Sequence, residues 1–269
     1  IGLSVLGLAG FTHGVIEAKQ LTHNKDYYRR QCLKKIDDAA IEGLELSSWR
    51  LAFNGAEMIY PKTMEKFAKR FAPYGFNENA FMPVYGLAEC TVALSFPPVG
   101  RGPKVDRIAR SSFEKSGHAQ PISKDKKNYY EFVSCGTALA QHEIRVVNDD
   151  DELVEERNVG SIQFRGPSTM QGYYRNPEAT KAIYHHGWWD TGDLGYLADG
   201  ELYITGRKKD LIIKAGRNYY PAEIEEITSQ VGGVRKGCVV AFGVKDTARG
   251  TEKLIIVAET GEKNKNVFK

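Results

Sequence analysis

Residues 190–226 read DTGDLGYLADGELYITGRKKDLIIKAGRNYYPAEIEE. Two strand-like runs, LGYLA and ELYIT, flank Asp199-Gly200, the pairing that favours a two-residue type I′ turn. A two-residue loop sets the register: Ala198 faces Glu201, Leu194 faces Thr205, and Asp193 falls opposite Gly206. Asp193 and Arg207 are then near neighbours at the open end of the hairpin. A carboxylate with two acceptor oxygens beside a planar guanidinium fork suits a vicinal diol such as the ribose of a nucleotide. A cross-strand ion pair that tidies the hairpin mouth fits the same two residues. On this stretch alone both readings stay open.

The rest of the chain has the composition of an ordinary soluble globular protein. Its 269 residues suffice for one large domain or two smaller ones. The 37 Lys and Arg and 34 Asp and Glu are interspersed and leave a net charge of +3, so nothing argues for a nucleic-acid surface. Cys32, Cys90, Cys135 and Cys238 are scattered with no CxxC pair. They read as small buried side chains in a reducing, cytoplasmic setting, not as disulfides or zinc ligands. The apolar start IGLSVLGLAGF is too short to span a bilayer and has no basic leader. With no initiator methionine and an end just after a strand-like run, the chain reads as a fragment of a longer one.

Along the chain, helical spacing over 26–46 gives way to SSWRLAFNGAEM (47–58), a buried strand running into a loop. PKTMEKFAKRFAPYGF (61–76) is an amphipathic helix with Pro61 in its first turn and an apolar stripe of Met64, Phe67, Ala68 and Phe71. AFMPVYGLAE (80–89) is a second strand-to-loop junction. Residues 97–132 are rich in Pro, Gly, Lys and Ser and read as an insertion or polar surface excursion. Residues 133–208 alternate short strands with turns, as in a small distorted β-barrel or sheet. From Asp210 the order becomes strand, helix, strand, strand, the start of a small α+β domain. The expected organisation is α/β: residues 1–208 as part of a large domain of sheet layers and a small barrel, then 209–269 opening a small second domain.

Three junctions share one feature. NGAE (54–57), YGLAE (85–89) and the Asp193/Arg207 hairpin mouth each place small residues and a polar or aromatic group where a strand ends. Ligands of α/β proteins collect at such ends. Gly55 and Ala56 let a flat ring lie against backbone, Asn54 or backbone carbonyls can meet an exocyclic amine, and Tyr85 offers a stacking face. Glu89 can reach a magnesium ion shared with phosphates. Taken singly, each also fits a turn or a core position. His185-His186 suggests a metal pair, but adjacent side chains on a strand point opposite ways.

Taken together and in order, FNGAE (53–57), YGLAE (85–89), GSIQFRGPSTMQGYYRNPEAT (160–180), WWDTGDLGY (188–196) and GRKKDLIIKAGRNYYPAEIEE (206–226) resemble the adenylate-forming superfamily. That superfamily comprises acyl- and aryl-CoA synthetases, luciferases and nonribosomal-peptide adenylation domains. Within it the chain looks most like the fatty acyl-AMP ligases. Glu57 and Ala88 stand where CoA synthetases usually show proline and threonine, Asn-Tyr-Tyr-Pro occurs at 218–221, and the polar excursion sits where these ligases carry an insertion.

The resemblance implies a set of roles. Asn54, Gly55, Ala56 and Glu57 border adenine and Tyr85 stacks on it, with Ile204 part of the same nucleotide pocket. Gly86, Leu87 and Ala88 lie along the α-phosphate and acyl path, and Glu89 binds Mg2+. Asp193 holds both ribose hydroxyls with Arg207 beside it, and Lys209 is the hinge of the small domain. Ala88 removes one hydroxyl contact to phosphate that the family usually makes. The KAGRNY loop (214–219) lines the tunnel for the thiol acceptor, and the insertion braces the small domain against the rotation that admits CoA. No Ser/Thr/Gly-rich phosphate loop followed by lysine occurs in the chain, and the family's catalytic lysine is expected beyond Lys269. The implied activity is ATP-dependent formation of an acyl-adenylate from a fatty acid, with transfer to the phosphopantetheine thiol of an acyl carrier protein or a synthase carrier domain. An acyl-CoA synthetase is the alternative, and a chain that only binds adenylate is a third reading.

Overall fold

The structure is a computed structural model and describes residues 33, 36, 38–123, 125–246 and 250–261. The apolar start, Cys32 and most of the helix expected over 26–46 lie outside the described residues. Within that last stretch a 3-10 turn spans Asp38–Ile41.

Strand β1 (Ala52–Asn54) pairs in parallel with β2 (Phe81–Pro83), setting Asn54 opposite Pro83. The crossover between them is α1 (Pro61–Phe71). Proline fits its first turn because that N–H has no intrahelical partner anyway. The 3.6-residue period brings Thr63, Met64, Phe67, Ala68 and Phe71 to one buried face. The Phe67 ring meets those of Phe71, Phe76 and Phe81 at 4.5, 5.3 and 6.0 Å. Each such side chain contributes about 1.5–3 kcal/mol on burial, which fixes β1 and β2 firmly enough to aim the loops at their C-terminal ends.

Next come β3 (Ser95–Phe96), β4 (Val105–Ala109), α2 (Arg110–Ser116), β5 (Tyr129–Val133) and β6 (Thr137–Ala138). The polar excursion expected over 97–132 has a core of its own. Ile108, Phe113 and Ala119 are fully buried among Tyr130, Phe132, Tyr196, Tyr203 and Tyr220. Its apolar residues are few and widely spaced, so the polar composition describes only the outer face. Tyr129 is half-buried, with the Arg107 guanidinium 4.0 Å from its ring centroid.

The β-rich part contains β7 (Glu143–Val147), β8 (Gly160–Arg165), α3 (Pro177–Ile183), β9 (Tyr184–His185), β10 (Trp188–Ala198) and β11 (Glu201–Arg207). The expected barrel is an open antiparallel sheet of order β11-β10-β8-β7, with β9 also on β10. Among the described residues no strand closes it. In the opening hairpin Asp199 and Gly200 both take positive φ, 53° and 71°, as a type I′ turn requires. Pairing runs as expected from Ala198–Glu201 to Gly195–Ile204, then shifts. Leu194 lies opposite Gly206, not Thr205, and Asp193 lies opposite Arg207, not Gly206. Thr205 is the extra residue of a β-bulge, and the bulge places the carboxylate directly across from the guanidinium.

Beyond β11 follow β12 (Ile212–Lys214), β13 (Arg217–Tyr219), α4 (Pro221–Ser229), β14 (Val234–Asp246) and β15 (Thr251–Thr260). The expected order is kept, with β13 added: the segment assigned to a loop is half of a tight hairpin turning at Ala215-Gly216. This region touches the earlier one through the Phe113 and Tyr220 rings, stacked at 5.1 Å. Arg110 also grips Glu223 with both guanidinium nitrogens, one at 2.6 Å, and the Tyr60 hydroxyl donates to the Ala222 carbonyl at 3.1 Å.

Candidate nucleotide-binding site

The loops after β1 and β2 leave neighbouring parallel strands on the same side, and close backbone approach dictates their small residues. A Cβ on Gly55 would stand 2.6 Å from the Val84 carbonyl oxygen, and one on Gly86 only 1.7 Å from that of Val92. Thr91 and Val92 hold positive φ, 51° and 77°, uncommon for any side chain and strained for a β-branched one. Buried Cys90 and Leu94 pin this tight turn to the core. Burial pushes the Cys90 thiol above its usual range, against a hydrogen bond from Ser168, so it stays a neutral packing group.

Asp193 is almost fully buried and both of its oxygens are engaged. The Tyr85 hydroxyl donates to Oδ2 at 2.6 Å, and Arg207 Nε lies 3.3 Å from Oδ1. The Asp193 backbone N–H donates to Thr191 Oγ1 at 3.1 Å, whose hydroxyl in turn donates to the Ile162 carbonyl. Burial raises the Asp193 carboxyl, with Tyr85 and Arg207 pulling it back down. Burial, then the Asp193 charge, pushes the Tyr85 phenol well above its usual range. The pair is a phenol donating to a carboxyl oxygen. Tyr85, from the β2 loop, and Asp193 and Arg207, from the hairpin mouth, form one connected unit.

Other expected residues take different positions. Asn54 is buried, and its Nδ2 has no hydrogen-bond partner among the described residues, an unsatisfied donor of the sort that accompanies ligand sites. Ala56 holds φ 69°. Ala88 is exposed, Leu87 is half-buried, and Ile204 packs on the first core. Lys209 is exposed in a 3-10 turn, Lys208–Asp210, directly after β11.

Glu89 accepts a 2.6 Å hydrogen bond on Oε1 from the Tyr173 hydroxyl, and that bond, ahead of burial, pushes the phenol up to about 12. Among the described residues no group of three or more His, Cys, Asp and Glu converges. A hard cation at Glu89 would thus depend on oxygens from phosphate and water, the arrangement magnesium favours. Glu89 fits that demand, since its second oxygen has no partner among the described residues. Sequence reasoning missed Tyr173, whose contact across 84 residues leaves no local signal, and Thr191, which accepts from the Asp193 N–H two residues away.

This geometry agrees with what comparison with known proteins finds. The model of the AMP-binding enzyme family matches residues 16–174, more than half of the chain. The chain belongs to the AMP-binding enzyme family. A putative acyl-CoA synthetase of Caulobacter vibrioides is 37% identical over 233 residues, covering 86% of this chain and 41% of that protein. The medium-chain-fatty-acid–[acyl-carrier-protein] ligase JamA of Moorena producens is 35% identical over 257 residues, covering 91% and 43%. A structure from work on fatty acyl-adenylate ligases of E. coli and L. pneumophila superposes with a TM-score of 0.82 at 38% identity, covering 90% of this chain and 43% of that one. The chain thus spans about two fifths of the length of these AMP-binding relatives. No described helix is long and apolar enough to cross a membrane.

Proposed function

We propose that the full-length protein is a fatty acyl-AMP ligase. The reading rests above all on the Tyr85–Asp193–Arg207 unit: a buried carboxylate with a phenol and a guanidinium on its two oxygens, formed where the loop after parallel strand β2 meets the mouth of the antiparallel β10–β11 hairpin. In this reading Asp193 accepts from both ribose hydroxyls, Arg207 fixes that edge, and Tyr85 stacks on adenine. Gly55, Ala56 and Glu57 border the ring with Asn54 and Ile204, while Gly86, Leu87 and Ala88 run beside the α-phosphate.

A fatty-acid carboxylate oxygen attacks the α-phosphorus and the bond to pyrophosphate breaks. The thiol sulfur of a phosphopantetheine arm then bonds the acyl carbon, AMP leaves with its oxygen, and the thiol proton passes to solvent. The chain's residues orient the reactants and fix charge around them. Magnesium would neutralise phosphate charge, and Glu89 is the residue that would hold it.

Lys209 is the hinge in this reading. The contacts from segment 97–132 to Tyr220 and Glu223 support a small domain held near one pose, and so a carrier protein or synthase carrier domain as acceptor in place of CoA. The two named relatives favour different acceptors, so an acyl-CoA synthetase is the competing reading. A cytoplasmic location suits the reduced cysteines. The 269-residue chain by itself is expected to bind adenylate at most, since no Ser/Thr/Gly-rich phosphate loop followed by lysine occurs in it.

Pyrophosphate release by the full-length protein, measured across a panel of fatty acids with ATP and Mg2+, tests this reading. Release with at least one chain length is the expected result. Release with none of them, from a folded protein that binds ATP, contradicts it.

A further inference from the structure

Glu89 is held from outside its own loop. Besides the Tyr173 hydroxyl on Oε1, the Met170 N–H donates to the Glu89 carbonyl at 2.8 Å. Beside them the Ser168 hydroxyl donates to the Cys90 carbonyl at 3.2 Å, and the Thr91 hydroxyl to the Ser168 carbonyl at 2.8 Å. The Ser168 hydroxyl also lies 3.3 Å from Cys90 Sγ, so the strand that ends at Arg165 continues into a segment, 168–173, that grips residues 89–91 at five points. The gripped turn contains the positive-φ residues Thr91 and Val92, and such backbone persists only where its surroundings over-determine it. Three of the five contacts use backbone and account for the turn's shape, and the Ser168–Cys90 Sγ contact seats a buried packing thiol. Tyr173 is different: its hydroxyl fixes the Glu89 side chain, occupying one carboxylate oxygen and leaving the other without a partner among the described residues.

We propose that Tyr173 is a positioning residue for the metal–nucleotide complex, orienting Glu89 so that its second carboxylate oxygen is presented to the cation. This rests on the reading of Glu89 given above. Partners that orient a ligating carboxylate typically matter by 10–100-fold in metal affinity. Tyr173 makes its side-chain hydrogen bond from a ring that is 38% exposed, so Tyr173→Phe removes an orienting bond without opening a core cavity.

The test uses the full-length protein with a non-hydrolysable ATP analogue and Mn2+ as a spectroscopic substitute for magnesium, free Mn2+ being read by electron paramagnetic resonance. Tyr173→Phe is expected to raise the Mn2+ half-saturation about tenfold or more. It should leave metal-free nucleotide affinity and thermal unfolding near wild type. Tyr174→Phe, at a neighbouring ring that is 85% exposed, should change nothing. Because Tyr173 acts through Glu89, the double variant Tyr173→Phe/Glu89→Gln should bind Mn2+ no more weakly than Glu89→Gln alone. Unchanged Mn2+ binding in Tyr173→Phe, or additive losses in the double variant, overturns the proposal while leaving the functional reading intact. A wild-type protein that binds the nucleotide with no contribution from Mn2+ overturns the magnesium part of the functional reading, and this proposal with it.

Discussion

Asp193 occupies a position that costs stability, a cost that the proposed ribose contact would offset in binding. Burial raises its carboxyl, so the folded state binds this proton more tightly than the unfolded chain does. The sign follows: stability from this group is greatest at low pH and falls as pH rises from the unfolded value near about 3.9 through the raised folded one. At neutral pH the penalty is fully present. Asp193→Asn should therefore melt no lower than wild type at pH 7, as followed by thermal unfolding. A clear drop would show that the Tyr85 and Arg207 contacts outweigh the burial cost. In the full-length protein Asp193→Ala should weaken ATP binding at least about tenfold, since charge-assisted hydrogen bonds contribute roughly 1.5–3 kcal/mol each. Unchanged ATP affinity in a folded variant would return Asp193 to a simple cross-strand ion pair. Gly86 is constrained in another way. With the Val92 carbonyl 1.7 Å from any Cβ, Gly86→Ala must move the turn that carries Glu89. A lower melting temperature together with weaker nucleotide binding is the expected outcome.

Segment 105–133 is both part of a core and a clasp on the region past Lys209. Phe113 packs on Tyr130, Phe132, Tyr196 and Tyr220 at centroid distances of 5.1–6.4 Å, and aromatic truncation at such sites costs about 3–5 kcal/mol. Deleting the segment would strip that core as well as the clasp, so a narrower change isolates the clasp. Glu223→Gln removes the ion pair with Arg110 while sparing the aromatic contacts. If this contact restrains the small domain, the variant of the full-length enzyme should still form acyl-AMP and should begin to yield acyl-CoA. A folded variant with unaltered acceptor choice would assign CoA rejection elsewhere. The same elements show what could be read before the structure. The helix Pro61–Phe71 and the Asp199-Gly200 hairpin were legible because a 3.6-residue stripe and a type I′ dipeptide are local signals. The bulge at Thr205 was not, because a threonine in a strand gives no sign of an extra residue. Nor was the hairpin at Ala215-Gly216, because alanine seldom adopts the φ of 51° it holds there.

Over the whole molecule, the Tyr85–Asp193–Arg207 unit joins residues that the chain keeps far apart, and the fold supplies the proximity. Parallel pairing of β1 and β2 aims the loops of Gly55 and Gly86 to one side, and the open sheet carries Asp193 and Arg207 to Tyr85. The glycines and the acid–base pair were visible as motifs. Their joining through the Tyr85 hydroxyl was not, because a contact over 108 residues depends on the packing of whole layers. The same applies to Tyr173 and Glu89, and to Arg110 and Glu223. Activation and acceptor choice are best separated in one reaction, in which the full-length protein receives a fatty acid, ATP, Mg2+ and equal concentrations of CoA and a phosphopantetheine-bearing carrier protein. Acyl-AMP, acyl-carrier thioester and acyl-CoA are then quantified over time by mass spectrometry. The account predicts acyl-AMP first and acyl-carrier thioester next, with little acyl-CoA; predominant acyl-CoA, or no acyl-AMP with any fatty acid, would contradict it.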